Sequence, residues 1–102
     1  GGSSSYMKLS KAKAWIRDLN NRGYAGHYDW RLPTLEEAAS LLESSKRNGL
    51  YIDPVFSSKQ RWIWTGDKYD SKYGWVVNFY NGSFIRFYFN FYFYVRPVRR
   101  DN

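Results

Sequence analysis

The residues that could carry out catalysis are few and poorly arranged for it. His27 is the sole histidine of the chain, and there is no cysteine. A catalytic triad, a His-carboxylate metal site and a histidine general base would all depend on His27, which lies in a glycine-flanked loop beside Tyr28 and Asp29. A histidine in such a loop is more often solvated or bonded to a near neighbour. The sequence therefore predicts a protein that is not an enzyme.

The carboxylates indicate helix capping and turn formation rather than metal binding. Glu36 and Glu37 stand at a predicted helix start, where they suit the helix dipole. Asp67 and Asp70 share one loop, but a calcium site there would need further oxygen ligands nearby. The glycines are isolated, so no phosphate-binding loop is present. We predict no metal and no cofactor.

Aromatic residues dominate the segment at residues 79–94, FYNGSFIRFYFNFYFY, in which ten of the sixteen residues are Phe or Tyr. An ordinary strand alternates apolar and polar residues, so that one face meets the core and the other meets water. In a chain of 102 residues we do not expect both faces to be buried. Some of these rings should be exposed, and clustered exposed aromatics are typical of binding surfaces.

The net charge is +7, with a pI of about 9.7. Basic and aromatic residues together are typical of nucleic-acid binding, since cations meet phosphates and rings stack on bases. The basic residues are scattered along the chain, however, and form no dense run. A small basic domain that is simply soluble is the plainer interpretation, and nucleic acid stays an alternative partner.

The hydrophobic pattern predicts an α+β fold. A first helix is predicted at residues 11–21, with Ser10 as its N-cap and an end near Gly23. Thr34 and Glu37 form a capping box that starts a second helix, predicted to end near Arg47. Strands are predicted at residues 61–65, 73–80, 83–88 and 94–99, with a polar loop at 66–72, an extended connector at 51–56 and a type I′ turn at Asn81-Gly82.

We expect a single domain over residues 6–102. Residues 1–5 are predicted to be a disordered linker outside the fold. No apolar run is long enough for a membrane span. The localisation is left open.

Six blocks stand in order along the chain: YAGHYDWRLPT, LEEAASLLE, YIDPVF, RWIWTGDK, GWVVNFYNGSF and YVRPVR. From residue 9 to residue 100 they resemble the Lcl C-terminal (DUF1566) family, a branch of the C-type lectin fold related to the fold of formylglycine-generating enzymes. The resemblance implies two helices flanking a twisted, mostly antiparallel sheet. Those enzymes use cysteines, and calcium-dependent lectins use Glu-Pro-Asn and Trp-Asn-Asp elements. This chain has neither, so calcium-dependent sugar binding is disfavoured.

The family also contains the variable proteins of diversity-generating retroelements, whose C-terminal part is rewritten at template adenines, chiefly in Asn codons. The edited codons still end in C or T, so they cannot encode Lys, Glu, Gln, Met or Trp. Residues 76–102 contain none of these, whereas residues 1–75 contain seven Lys, three Glu, five Trp, one Gln and one Met. Strand propensity explains the missing Glu well and the missing Trp less well. The alternatives are a plain family member and a laboratory-selected library on this scaffold.

The resemblance implies a binding domain with a fixed scaffold and a displayed variable surface. The scaffold residues are predicted to be Trp15, Trp30, Leu32, Leu41, Trp62, Trp64, Trp75, Val77, Val95 and Val98. The displayed residues are predicted to be Tyr80, Ser83, Phe84, Ile85, Phe87, Tyr88, Phe89, Asn90, Phe91, Tyr92 and Phe93. The expected partner is a protein, with a carbohydrate second; a homo-oligomer interface is a further alternative.

Two arrangements of the aromatic run stay open. A regular strand would place Phe87, Phe89, Phe91 and Phe93 on one face, as core, and Tyr88, Asn90 and Tyr92 on the other, as the binding site. A loop would expose both sets. Arg31 is predicted to bond carbonyls or a carboxylate such as Asp29 or Asp53.

Overall fold

The computed structural model describes residues 2–53 and 61–99, which form an α+β fold. Two helices, α1 (Leu9–Arg22) and α2 (Leu35–Ala39), precede a three-stranded antiparallel sheet of β1 (Trp62–Lys68), β2 (Tyr73–Asn78) and β3 (Ser83–Tyr88). A short 3-10 turn, Tyr24–Gly26, follows α1. No helix in the described part of the chain is long and apolar enough to cross a membrane.

Helix α1 forms because its apolar residues recur on one face. Leu9, Ala12, Ile16 and Leu19 are its buried residues, at the spacing of successive helical turns. The helix begins two residues earlier than predicted, and Lys8 takes the N-cap position without a side-chain hydrogen bond, so the prediction of Ser10 as the cap is wrong. Gly23 ends the helix as predicted, in the left-handed conformation at φ 63°.

Helix α2 starts as predicted and ends much earlier. The capping box is present: Thr34 Oγ1 accepts a bond from Glu37 N, and Glu37 Oε1 accepts one from Thr34 N. The prediction that this helix continues to Arg47 is wrong, since α2 ends at Ala39. Leu41 and Leu42 instead pack from a following turn onto the sheet.

Strand β2 buries side chains on both of its faces, since its neighbouring residues point to opposite sides of the sheet. Val76 faces what we call the helix-side core: Leu9, Ala12, Ile16, Trp64, Val76, Phe93 and Val95. Val77 faces the loop-side core: Ala38, Leu50, Ile52, Ile63, Val77 and Phe79. The described chain thus buries two apolar clusters on one shared sheet.

The hairpin between β2 and β3 is confirmed, but its turn differs from the prediction. Asn78 pairs with Ser83, so the loop has four residues, 79–82, rather than two. Gly82 has φ 74°, whereas Asn81 is not among the positive-φ residues of the described chain, and a type I′ turn needs both. Asn78 holds this longer turn: its Oδ1 accepts hydrogen bonds from Tyr80 N at 2.8 Å and Asn81 N at 3.4 Å, and its carbonyl oxygen accepts one from Gly82 N at 3.0 Å.

The C-terminal residues are held by single bridges rather than by a strand. Met7 pairs with Phe93, Ile63 with Tyr94, and Arg31 with Val98, so the strand predicted at residues 94–99 is wrong. Strand β1 is also longer than predicted and takes in the start of the supposed polar loop. The predicted connector at 51–56 lies outside the described residues from Pro54 onward.

Ser3, which the sequence assigns to a linker, lies within the packed fold. Its side chain is buried, and its Oγ accepts a hydrogen bond from Val95 N at 3.0 Å. Its own N–H donates to Val95 O at 2.9 Å. Ser3 therefore belongs to the folded domain.

Arg31 bonds a carbonyl and a carboxylate, as predicted, but the carboxylate is that of Glu37 rather than of Asp29 or Asp53. Its guanidinium forms a bidentate ion pair with Glu37, in which Nη1 and Nη2 donate to Oε1 and Oε2 at 2.6 and 2.8 Å. Nη1 also donates to Leu32 O. Asp29 pairs instead with Arg99. The Arg31 bond and the bond from Thr34 N lower the pKa of Glu37 from 4.5 to about 2. Glu37 thus joins the end of the irregular segment to the start of α2.

We expect Glu37→Gln to lower the free energy of unfolding by about 1 kcal/mol at pH 7, because it weakens both the cap and the ion pair. Solvent screening keeps this figure small, since the Glu37 side chain is 42% exposed. A lowered folded-state pKa stabilises the fold above pH 4.5, and this contribution disappears as the pH falls towards 2. Urea titrations at several pH values measure the difference.

Glu36→Gln is the matched control, because this substitution removes one negative charge from the same helical turn. It should change stability by a few tenths of a kcal/mol only. A Glu37→Gln effect that stays constant down to pH 2 would contradict the assigned role of the ionised pair.

Candidate functional site: an aromatic face beside the edge strand

Strand β3 lies at the edge of the sheet, and its side chains alternate between two environments. Ser83, Ile85 and Phe87 are half-buried on the side of the helix-side core. Phe84, Arg86 and Tyr88 are exposed on the other side. The alternation follows from the pleat of a regular strand with one covered face.

The neighbouring strand adds two rings to the exposed side. The register pairs Tyr73 with Tyr88, Trp75 with Arg86 and Val77 with Phe84, and directly paired residues share a face. The Tyr73 and Tyr88 rings lie 4.6 Å apart, centre to centre, and Trp75 meets the Phe84 ring edge-on at 6.1 Å. Val77 is covered by the loop-side core, whereas Tyr73 and Trp75 lie beyond it.

Two rings from connecting segments complete the surface. Tyr69, in the turn after β1, lies 5.9 Å from Trp75, and Phe91, in the turn after β3, lies 6.1 Å from Tyr88. The guanidinium of Arg86 stacks over the Tyr69 ring at 4.3 Å. We call this surface the aromatic face; it consists of Tyr69, Tyr73, Trp75, Phe84, Arg86, Tyr88 and Phe91.

The aromatic face is open to solvent yet ordered by its own contacts. Tyr69, Phe84, Tyr88 and Phe91 are 49%, 51%, 46% and 45% exposed. A hydrogen bond between the Tyr73 and Tyr88 hydroxyl groups raises the pKa of Tyr73. Such a surface offers a large apolar contact area, with a cation and phenol groups that can orient a bound molecule.

Asp70 holds the turn that presents Tyr69. Its Oδ1 accepts hydrogen bonds from Lys72 N at 2.8 Å and Tyr73 N at 2.9 Å. Asp67 instead stabilises the start of α2, where its Oδ2 accepts a hydrogen bond from Leu35 N. Among the described residues, no group of three or more His, Cys, Asp or Glu side chains is placed to hold a metal.

The predicted displayed residues fall into three environments. Phe93 is 8% exposed and belongs to the helix-side core, so it is not displayed. Ser83, Ile85, Phe87 and Phe89 are half-buried. The exposed ones are Tyr80, Phe84, Tyr88, Asn90, Phe91 and Tyr92.

The aromatic run is neither a regular strand throughout nor a loop throughout, which were the two predicted alternatives. The strand ends at Tyr88, and a turn follows in which Phe91 N donates to Tyr88 O at 3.1 Å. The turn rotates Phe91 outward, while Phe87, Phe89 and Phe93 still pack against the helix-side core. Strict alternation therefore holds only up to the turn.

Two of the exposed tyrosines lie away from the aromatic face. Tyr92 lines a groove of about 320 Å³ together with Tyr6, Trp62, Phe93 and Tyr94. Tyr80 lies beside Lys46, whose ammonium is 4.6 Å from the ring centre. The predicted residues thus supply three separate surfaces, of which the aromatic face has the most connected rings.

Sequence reasoning missed Tyr69 and Tyr73 and placed Trp75 in the scaffold. Trp75 is half-buried and contacts Tyr69 and Phe84 on the aromatic face. The alternation of Tyr73, Trp75 and Val77 could have indicated these two rings. These residues share one side of β2, and the hairpin places them beside alternate residues of β3. The predicted two-residue turn would have shifted this pairing by two residues without changing the face.

The other predicted scaffold residues are buried or half-buried: Trp64, Val77 and Val95 are buried, and Trp15, Trp30, Leu32, Leu41, Trp62 and Val98 are half-buried. His27 is half-buried and meets the Trp30 ring edge-on at 6.1 Å. Its observed contact is therefore one of packing.

Comparison with known families matches residues 2–99 to the Lcl C-terminal domain. The match spans nearly the whole chain, so the protein belongs to this family. No curated protein and no solved structure shows significant similarity to the chain.

The burial difference between two phenylalanines of the run gives a direct test of the described site. Phe93→Ala should lower the free energy of unfolding by about 3–5 kcal/mol, since it opens a cavity in the helix-side core. Phe91→Ala removes an exposed ring and should cost about 1 kcal/mol or less. Urea unfolding of both variants measures the two values, and equal losses would contradict the assignment of one ring to the core and the other to the surface.

Proposed function

We propose that this protein is a non-enzymatic binding domain of the C-type lectin type, whose aromatic face contacts a partner protein. The observation that carries the proposal is the set of connected, half-exposed rings on an ordered sheet. A soluble domain rarely leaves so many neighbouring rings in water unless another molecule covers them.

Physical properties of the rings favour a protein partner. Tyr and Phe have few rotatable bonds, so they present a large contact area with little side-chain entropy to lose on binding. Ring-ring contacts such as Tyr73–Tyr88 and Tyr69–Trp75 reduce that loss further, because the rings are already held in place. A carbohydrate is the second candidate, since rings of Trp and Tyr also cover apolar faces of small ligands.

The face combines fixed and diversified positions in this proposal. Tyr69, Tyr73 and Trp75 precede residue 76, after which Lys, Glu, Gln, Met and Trp no longer occur. Phe84, Tyr88 and Phe91 follow it and are exposed. Template-directed mutation of a diversity-generating retroelement would then change the outer rings, while the inner rings and both cores stay constant.

A selection experiment tests whether this face can serve as a variable binding surface. A displayed library randomised at Phe84, Tyr88, Asn90 and Phe91 should yield folded variants that bind each of two unrelated purified proteins. The reason is that these side chains are exposed and contribute little to either core. Enrichment over successive rounds and binding of the purified variants are the measurements.

The matched control is a library randomised at exposed positions of α1, Ser10, Lys11, Lys13 and Arg17. It should yield few binders, because a convex helix surface without a fixed aromatic floor provides less apolar area. Equal enrichment from both libraries, or none from the first, would contradict the proposal.

Nucleic acid is a further candidate, after protein and carbohydrate, because Arg86 lies over Tyr69 within the aromatic face. Phosphate-dominated binding weakens steeply with salt, by about a thousandfold or more between roughly 50 and 200 mM for many contacts. With one stacked cation on the face, we expect only weak binding of an oligo-dT strand, which fluorescence anisotropy measures. Tight binding at low salt that is lost at moderate salt would favour the nucleic-acid function instead.

A further inference from the structure

No described strand pairs with the outer edge of β3, and the pairing with β2 fixes which backbone groups face this edge. Phe89 N donates to Lys72 O at 3.1 Å, and this pair continues the β2–β3 register. Hydrogen-bonded and non-bonded pairs alternate in an antiparallel ladder. Residues 85 and 87 therefore bond inward to β2, whereas Phe84, Arg86 and Tyr88 direct their N–H and C=O groups outward.

Within the described residues, the Phe91 ring lies beside one end of this edge, 4.4 Å from the Phe87 ring and 6.1 Å from the Tyr88 ring. Arg86 is the one charged residue of β3, and the centre of the edge has no other protection. Of its outward groups, Tyr88 O accepts a bond from Phe91 N, whereas no backbone carbonyl of the described residues accepts a bond from the outward N–H groups of Phe84, Arg86 and Tyr88. The strand contains no proline, and its pairing has no bulge. Proteins usually protect such an edge with one of these devices or with charges.

The opposite edge of the sheet is closed by the chain itself. Trp64 N donates to Tyr94 O at 3.0 Å, and Tyr94 N donates to Trp62 O at 2.9 Å. The C-terminal segment thus already occupies the outer side of β1. As far as residues 2–53 and 61–99 show, the β3 side of this sheet is the one left to accept another strand.

The charge at the centre of the edge argues against a second copy of the chain. Two antiparallel β3 strands in full overlap would place Arg86 opposite Arg86, since residues 84 and 88 would then pair with each other. Like charges directly opposite destabilise a sheet, and each chain also carries a net charge of +7.

The geometry points to an extended segment of a partner protein that adds to β3 as a fourth strand, with an acidic residue opposite Arg86. Phe84 and Tyr88 flank Arg86 on the aromatic face, so the segment should carry apolar residues two positions before and after its acidic residue. The inference rests on the proposed binding function and specifies the form of the partner.

In this mode of binding, backbone hydrogen bonds provide affinity and side chains provide specificity. Main-chain hydrogen bonds along Phe84, Arg86 and Tyr88 do not depend on which side chains stand there. Changes at positions 84 and 88 would alter the choice of partner sequence, while the backbone edge stays available.

The first test uses the wild-type protein and a capped synthetic heptapeptide, Thr-Val-Thr-Asp-Thr-Val-Thr. Amide chemical shifts should change at residues 84–88 on titration. A peptide of the same sequence, N-methylated on the residues that face β3, should bind about five- to tenfold more weakly or not at all. Replacing its Asp by Lys should also weaken binding.

The second test compares Arg86→Pro with Arg86→Ala. Both remove the guanidinium, but only proline also removes the outward N–H, and an edge position tolerates it. Circular dichroism and thermal unfolding check that both variants fold. Arg86→Pro should bind the heptapeptide more weakly than Arg86→Ala does.

Several results would overturn the inference. They are the absence of shifts at residues 84–88, equal binding of the N-methylated peptide, and a dimer of the free protein that Arg86→Pro dissolves. Binders selected from the aromatic-face library that bind equally to Arg86→Pro and Arg86→Ala backgrounds would refute strand addition while leaving the proposed function intact. A library without binders would refute the proposed function itself.

Discussion

The burial of β2 on both faces is the constraint on which the rest of the structure depends. Val76 and Val77 are adjacent in sequence, fully buried, and belong to different cores. Because the strand pleat sends them in opposite directions, α1 must lie on one side of the sheet and α2 with its following turns on the other. A shift of the β2 pairing register by one residue would exchange its two sets of side chains between the helix-side core and the loop-side core.

The same constraint produces the aromatic face. The loop-side core covers the Val77 end of β2, and the strand continues past this cover to Trp75 and Tyr73. Their partners on β3 are Arg86 and Tyr88, so rings and one guanidinium meet where the sheet is uncovered. The candidate site is therefore a consequence of a sheet that is longer than the layer packed against it. Strand pairing positions four of its rings, those of Tyr73, Trp75, Phe84 and Tyr88.

Much of this architecture follows from local sequence signals. The Thr34 capping box, the Gly23 helix end and the β2–β3 hairpin are all short-range features, and all three are observed. The length of α2 could not be predicted, because Leu41 and Leu42 suit a helix by spacing but are drawn to the sheet by the loop-side core. The two-residue turn predicted from Asn-Gly is replaced by a four-residue turn, because the Asn78 side chain binds the backbone N–H groups of Tyr80 and Asn81. The burial of Phe93 and the exposure of Phe91 also depend on a turn after Tyr88, which hydrophobic periodicity alone does not predict.

In the proposed function, the exposed rings after residue 76 are diversified while both cores are fixed. Sequencing of the native gene and its surroundings across a population of its source tests this proposal. We expect a near-repeat of the segment that encodes the residues after Trp75, beside a reverse transcriptase gene, with differences at template adenines. Amino-acid variation should fall on Phe84, Tyr88, Asn90, Phe91 and other exposed positions, and spare Val76, Val77 and Phe93. The absence of such a repeat, or variation spread equally over core and surface codons, would contradict it.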